Sequence, residues 1–169
     1  YSLASNTTGY YNTANGYYSL NSNTTGYYNV ANGHAALSKN TTGAGNIANG
    51  YSSLYDNTTG GYNTANGCYS ILNNTTGSYN VASGVYSLSS NTTGNHNTAN
   101  GYYAMASNVT GSENTAIGFY AGSSLDNLSN TTAIGTNAKV DASNKVRIGN
   151  TSVTSIGGEV SWTTFSDGR

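Results

Sequence analysis

Small, β-branched and polar positions recur along this chain, with equivalent residues every 17 positions. The tetrapeptide Asn-Thr-Thr-Gly, once changed to Asn-Val-Thr-Gly, begins at seven equally spaced residues: Asn6, Asn23, Asn40, Asn57, Asn74, Asn91 and Asn108. A second motif, Asn-Thr-Ala-Asn-Gly and its variants, keeps the same phase, so that the unit repeats about eight times, to roughly Asp141. Repetition at a short fixed period is typical of stacked solenoid architectures.

Equivalent positions of the repeat form three columns, of alanine, β-branched and large apolar residues, which we expect to be buried. The alanine column never changes: Ala14, Ala31, Ala48, Ala65, Ala82, Ala99, Ala116 and Ala133. A large apolar column follows it: Leu20, Leu37, Leu54, Ile71, Leu88 and Met105. A β-branched column precedes each alanine: Thr13, Val30, Ile47, Thr64, Val81, Thr98, Thr115 and Thr132.

Two short strands fit into each repeat, whereas two helices do not, because so short a unit, interrupted by two glycines, cannot hold them. The pattern predicts one strand around residues 13–15 and another around residues 18–20, with turns at the Gly and Asn positions. Stacking at about 4.8 Å per coil gives an all-β, parallel β-solenoid about 38 Å long over residues 1–141. Beyond it, residues 142–169 leave the period and predict a β-rich neck, with strands at 145–150 and 153–158.

These three columns make a thin core, so we expect the coils to need a partner surface. The unchanging alanine indicates close backbone approach, and self-association about an axis parallel to the solenoid is the simplest solution. A further column (Asn15, Asn32, Asn49, Asn66, Ser83, Asn100) predicts a hydrogen-bonded asparagine ladder, inside or at a turn. Its change to Ile117 and Ile134 predicts a drier core toward the C-terminal end.

Composition removes several classes of protein. Charged residues make up 7% of the chain, with five Lys and Arg against six Asp and Glu. This composition lacks the excess of positive charge with which proteins bind nucleic acid or an anionic membrane. No apolar run approaches the roughly 18 residues of a membrane span. The single cysteine, Cys68, cannot form a disulfide within the chain and is expected to be a free surface thiol.

Two segments near the end of the repeats resemble the head repeat of trimeric autotransporter adhesins (YadA-like). They are residues 114–121 (NTAIGFYA) and 132–138 (TAIGTNA), and the resemblance covers about residues 6–141, with Asn in place of Ile upstream and a longer period. The resemblance implies a left-handed parallel β-roll, a homotrimer, an extracellular location and an attachment role.

The final stretch resembles the junction that precedes the C-terminal intramolecular chaperone domain of endosialidase-type phage tail fibres. Residues 160–165 (VSWTTF) lead into Ser166 and Asp167, which match the family's Ser-Asp start. In that family a lysine five residues after the serine completes the self-processing pair, and position 171 lies beyond this sequence. The resemblance implies that Ser166 and Asp167 mark a processing junction that is not catalytic in this chain alone.

Candidate catalytic and metal-binding residues are scattered. His34 and His96 have no carboxylate or cysteine at ligand spacing, and the six acids are isolated, so that neither a metal site nor a glycosidase carboxylate pair is predicted. We expect no enzyme activity, no cofactor and no metal.

Tyrosine forms two partly filled columns along the predicted fibre. One contains Tyr11, Tyr28, Tyr62 and Tyr79, and the other contains Tyr18, Tyr69, Tyr86, Tyr103 and Tyr120. They are interpreted either as ring ladders that cover the solenoid or as a repeated surface for glycans or protein.

Three functional classes therefore stay open. The first is a structural or adhesive segment of an extracellular trimeric fibre, of a phage-type tail fibre or a bacterial surface adhesin; its partners are its own copies and a host or cell-surface glycan or protein. The second is a glycan-binding module that uses the Tyr, Asn and Thr stripes. The third is an ice-binding solenoid, indicated by threonines in register from Thr7 to Thr92, although paired threonines on a strand would face opposite sides.

Overall fold

The computed structural model describes residues 1–156, and in this range the chain is an all-β solenoid with parallel strands. Nine strands form the main sheet: β1 (Thr13–Asn15), β2 (Val30–Asn32), β3 (Ile47–Asn49), β4 (Thr64–Asn66), β5 (Val81–Ser83), β6 (Thr98–Asn100), β7 (Thr115–Ile117), β9 (Thr132–Ile134) and β11 (Val146–Ile148). The strands β8 (Gly122–Ser123) and β10 (Lys139–Val140) form a second, two-stranded sheet. No helix long and apolar enough to cross a bilayer occurs in residues 1–156.

Each strand of the main sheet pairs in register with the equivalent strand of the next coil. Ala14 lies opposite Ala31, Ala31 opposite Ala48, and the same pairing continues to Ala133. The step shortens only at the last turn, where Thr132 pairs with Val146. The predicted fold class, a parallel β-solenoid of about eight turns, is confirmed. The strand β11 falls in the segment predicted as a neck and extends the same sheet; the separate neck stays a prediction, and residues 157–169 lie outside the described part.

The prediction of a second strand around residues 18–20 is wrong for most coils, where this segment is a turn. Tyr18 and Leu20 have φ values of +59° and +48°, which lie outside the β region. The backbone still bonds from coil to coil, since the Leu20 amide donates to the Ala36 carbonyl at 3.0 Å. Within residues 1–156, strands occur near this position only in the C-terminal coils, where Gly122 pairs with Lys139.

The interior contains the alanine and large apolar columns. From Ala31 to Ala133 the alanines are at most 1% exposed, Leu20 to Leu88 are fully buried, and Met105 is 3% exposed. Ala14, in the first coil, is half-buried. Leu20 and its equivalents therefore pack in the core although their backbone is left-handed.

The β-branched column does not lie in the core, contrary to expectation. Side chains alternate along a strand, so the inward-facing Ala14 forces both Thr13 and Asn15 outward. Val81 is 45% exposed and Ile47 is 39% exposed for the same reason.

The asparagine column that begins at Asn15 shares this outer face. It does form a partial ladder, in which Asn32 Nδ2 donates to Asn49 Oδ1 at 2.9 Å and Asn49 Nδ2 to Asn66 Oδ1 at 2.8 Å. The expected drier core at Ile117 and Ile134 is wrong, because these side chains are 44% and 38% exposed.

Candidate binding surface

Two columns of asparagine side chains are buried inside the solenoid. In the first, the asparagine that opens each motif from Asn23 to Asn108 donates to its equivalent one coil earlier, as Asn57 Nδ2 does to Asn40 Oδ1 at 2.7 Å. The same Nδ2 donates to the Gly60 carbonyl at 2.9 Å, and both asparagines are fully buried. The motif is therefore a folded turn in which the side-chain amide of the asparagine faces the core.

The second column lies immediately before the strands, with Asn29, Asn46, Asn63, Asn80 and Asn97 fully buried. Asn63 Nδ2 donates to Asn46 Oδ1 at 3.1 Å and to the Gly77 carbonyl at 2.9 Å. The Asn46 Oδ1 also accepts from the Asn63 backbone amide at 3.0 Å. The two columns thus share the same glycine carbonyls as acceptors, and most of the polar core is paired.

The first column stops at Asn108, whose Oδ1 is the one buried side-chain polar atom without a hydrogen-bond partner in the described part of the chain. The donor for this oxygen would come from the equivalent residue of the next coil, which is Leu125 and carries no amide. In the second column the last asparagine, Asn114, does have a donor for its side-chain oxygen, since the Thr131 hydroxyl donates to Asn114 Oδ1 at 2.7 Å. Sequence reasoning missed both columns, although their asparagines recur in every full repeat.

The two tyrosine columns form stacked ladders on the surface. Tyr62 stacks on Tyr79 with ring centroids 5.2 Å apart, and His96 continues that stack at 5.2 Å. In the other column Tyr69 stacks on Tyr86 at 4.8 Å. These distances match the coil spacing, so the rings follow the backbone ladder. The sequence-predicted tyrosines are therefore brought together in two stripes.

The hydroxyls of Tyr17, Tyr69 and Tyr103 are neutral hydrogen-bonding groups rather than phenolates. Loss of hydration among neighbouring rings is the main cause that raises the pKa of Tyr69 and Tyr103 above the ordinary value. A hydrogen bond with the Tyr18 side chain raises the pKa of Tyr17 in the same direction. Because the ring faces of a stacked stripe contact each other, the stripes present ring edges and O–H groups that both donate and accept.

The second stripe is interrupted by an open groove of about 520 Å³. Where Tyr18 and Tyr69 have rings, the two coils between them carry Ala35 and Ser52, which are small and buried. His34 and Tyr51 line one side, stacked on each other at 5.0 Å with an interplanar angle of 8°. The groove is therefore a candidate binding site on the tyrosine-bearing surface.

Lys39 and Tyr55 also line the groove. Lys39 Nζ lies 2.6 Å from Asp56 Oδ1 and 4.9 Å from the centre of the Tyr55 ring. The hydrogen bond to Asp56 raises the pKa of Lys39, so that the ammonium stays charged and paired. The pair has no net charge, and the groove is close to neutral.

The remaining candidate residues lie apart. His34 and His96 are both exposed and occupy ring-stacking positions, and Cys68 is an exposed free thiol, as predicted. Across residues 1–156, no group of three or more His, Cys, Asp or Glu side chains is arranged to hold a metal. Ser166 and Asp167, the predicted junction, lie outside the described residues.

The threonine columns lie on turns, so strand alternation does not separate the paired threonines as expected. The first threonine of each pair is tied to the backbone: Thr24 Oγ1 donates to the Thr41 carbonyl, and Thr41 Oγ1 to the Thr58 carbonyl, both at 3.0 Å. The second threonines, such as Thr25 and Thr42, are exposed. The hydroxyls of the first threonine in each pair therefore stabilise the fold by bonding to the backbone of the next coil.

The outer face of the nine-stranded sheet is a continuous surface, and several of its side chains are apolar and exposed. Val146 is 66% exposed, and the C-terminal part of the face adds Ile117, Ile134 and Ile148 at 38–44%. Comparisons with models of protein families, with curated proteins and with solved structures give no match.

Proposed function

We propose that this chain is a rod-shaped segment of an extracellular homotrimeric fibre that mediates attachment, of the phage tail-fibre or bacterial surface-adhesin type. In this proposal the solenoid is a left-handed β-roll, three copies pack side by side, and the C-terminal residues form a neck that leads to a chaperone junction at Ser166 and Asp167. The observation that carries the proposal is the strip of exposed apolar side chains on the C-terminal strands of the outer sheet face.

Burial of this face is favourable because complete burial of a valine or isoleucine side chain contributes about 1.5–3 kcal/mol, and these side chains, which are 38–66% exposed, gain roughly the exposed share of that value. Exposed apolar surface on a continuous face is typical of an interaction site. Ile117, Ile134 and Ile148 lie on successive strands, so they form one unbroken strip rather than scattered residues.

A second copy of the same chain fits this face better than an unrelated partner. The face repeats at the coil spacing of about 4.8 Å, and a copy related by an axis parallel to the solenoid meets it in the same register at every coil. The outward side chains of the nine strands described for this sheet are all uncharged, so copies do not repel each other. The resemblance to trimeric adhesin heads supports three copies.

The assembly can be tested by the mass of the 169-residue chain in solution. We expect multi-angle light scattering to give three chain masses for the unaltered protein. The double change Ile117→Lys and Ile134→Lys should lower the mass to one chain, because two ammonium groups per copy would be buried without partners. The control is Thr59→Lys, on an exposed turn away from the sheet. A folded, stable monomer of the unaltered chain would contradict the proposal.

A further inference from the structure

We infer that the groove between Tyr18 and Tyr69 is a binding site for a short, neutral saccharide. Such a site rests on the proposed attachment role and gives it a ligand class and a location. It depends on the coils and their surface, and the assembly into a trimer is a separate question.

The groove lies where two consecutive coils lack the tyrosine that this column carries elsewhere. Two consecutive coils replace tyrosine with Ala35 and Ser52, which have φ values of +56° and +51°. Tyr69 and Tyr86, in the same column, have φ values of +57° and +56°, so the backbone at the gap is the one that holds tyrosine elsewhere. The gap spans three coil steps, about 14 Å, from Tyr18 to Tyr69.

The other column shows that an omitted ring does not by itself make a groove. Gly45 interrupts the stripe between Tyr28 and Tyr62, but the Tyr62 ring folds over it: a Cβ added to Gly45 would lie 2.8 Å from that ring. At Ala35 and Ser52 no ring fills the space, and the groove of about 520 Å³ stays open. Its volume is that of an ordinary small-molecule site.

Two kinds of surface meet in the groove. The rings of Tyr18, Tyr51 and Tyr55 line the groove and present apolar surface, against which the C–H face of a sugar ring packs, whereas Tyr17 and Tyr51 cover the two faces of the His34 ring. Polar side chains lie between these rings: Asn21, Ser22, Ser38 and Ser52. Hydroxyl and amide groups both donate and accept, which matches the hydroxyls of a saccharide.

Charge selects among saccharides. Lys39, a cation lining the groove, is held by Asp56 at 2.6 Å, so an anionic ligand would have to compete with that carboxylate. His34 is stacked between Tyr17 and Tyr51, with ring centroids 5.5 Å and 5.0 Å away. The pairing of Lys39 with Asp56 favours a neutral mono- or disaccharide over a sialylated or phosphorylated ligand.

The test is an array of immobilised neutral and anionic glycans probed with the labelled 169-residue chain. We expect binding to at least one neutral glycan, and at least a tenfold loss of that signal for the double change Ala35→Tyr and Ser52→Tyr, which completes the stripe. The matched control is Asn137→Tyr, which adds a ring in the same column at φ +53° far from the groove and should leave binding unchanged. Tyr51→Ala, which removes one side without filling the groove, should also reduce binding.

Several outcomes would overturn the inference. They are an array without any neutral glycan signal, binding confined to anionic glycans, or neutral binding that survives both the filled groove and Tyr51→Ala. Light scattering on the same samples separates the groove site from the proposed function: a trimer that binds no neutral glycan overturns the groove site and leaves the fibre proposal standing. A monomer that binds a neutral glycan through the groove supports the groove site and overturns the trimer.

Discussion

Replacement of Asn74 by alanine should destabilise the folded chain by about 4 kcal/mol, because it breaks a buried ladder on both sides. The Asn74 Nδ2 donates to Asn57 Oδ1 at 2.7 Å, and its Oδ1 accepts from Asn91 Nδ2 at 2.9 Å, all three side chains being fully buried. The alanine leaves the Asn57 oxygen without a donor and one N–H of Asn91 without an acceptor. Each buried group left unpaired costs about 1–3 kcal/mol, and the vacated volume adds to this.

The measurement is the free energy of unfolding from denaturant titration followed by circular dichroism. Asn73 supplies the matched control, because it is the neighbouring asparagine but is exposed. The change Asn73→Ala should cost less than about 0.5 kcal/mol, as is usual for surface substitutions. Equal effects at the two positions would contradict the structural role of the buried ladder.

Gly84→Ala is expected to have the second largest effect, about 3 kcal/mol, from backbone strain and a steric clash together. Gly84 has a φ of +129°, a conformation that costs a residue with a side chain about 1–3 kcal/mol. In addition, an added Cβ would lie 2.5 Å from the Gly101 carbonyl oxygen, which is backbone of the next coil and cannot rotate away. For a chain of this length, the melting temperature should fall by roughly 6–12 °C.

Gly61→Ala is the control for this change. An added Cβ at Gly61 would lie 3.0 Å from the Ala44 carbonyl oxygen, and the equivalent positions in neighbouring coils already carry Ala44 and Ser78. A shift of no more than about 2 °C is expected by thermal melting. If the melting temperature of Gly84→Ala also falls by no more than about 2 °C, the close contact between successive coils is not the reason that this position requires glycine.

The parallel solenoid and its step could be predicted because the repeat is visible in the sequence. Ala14 and Leu20 head columns that vary little, and both columns are buried as their apolar character indicates. The second strand could not be predicted in the same way. The segment from Tyr18 to Leu20 has apolar residues suited to a strand, but its left-handed φ values follow from the path of the coil and not from residue type.

The buried asparagine columns could not be predicted from hydrophobicity. Asn63 and Asn74 belong to a residue type that is mostly exposed, and only partners in adjacent coils make their burial favourable. The outward position of the β-branched column could have been deduced, since it follows from the inward Ala14 on a three-residue strand. The groove required the structure, because the ring that closes the gap at Gly45 has no counterpart at Ala35 and Ser52.

The two buried asparagine columns also fix the number of residues between one coil and the next. Each Asn40-type amide is joined to copies one unit above and below, so insertion or loss of a single residue would disconnect both columns at once. Gain or loss of a whole unit leaves every bond intact and changes the length by about 4.8 Å. Gene duplication in whole repeat units is therefore a mode of growth that keeps both buried amide columns paired.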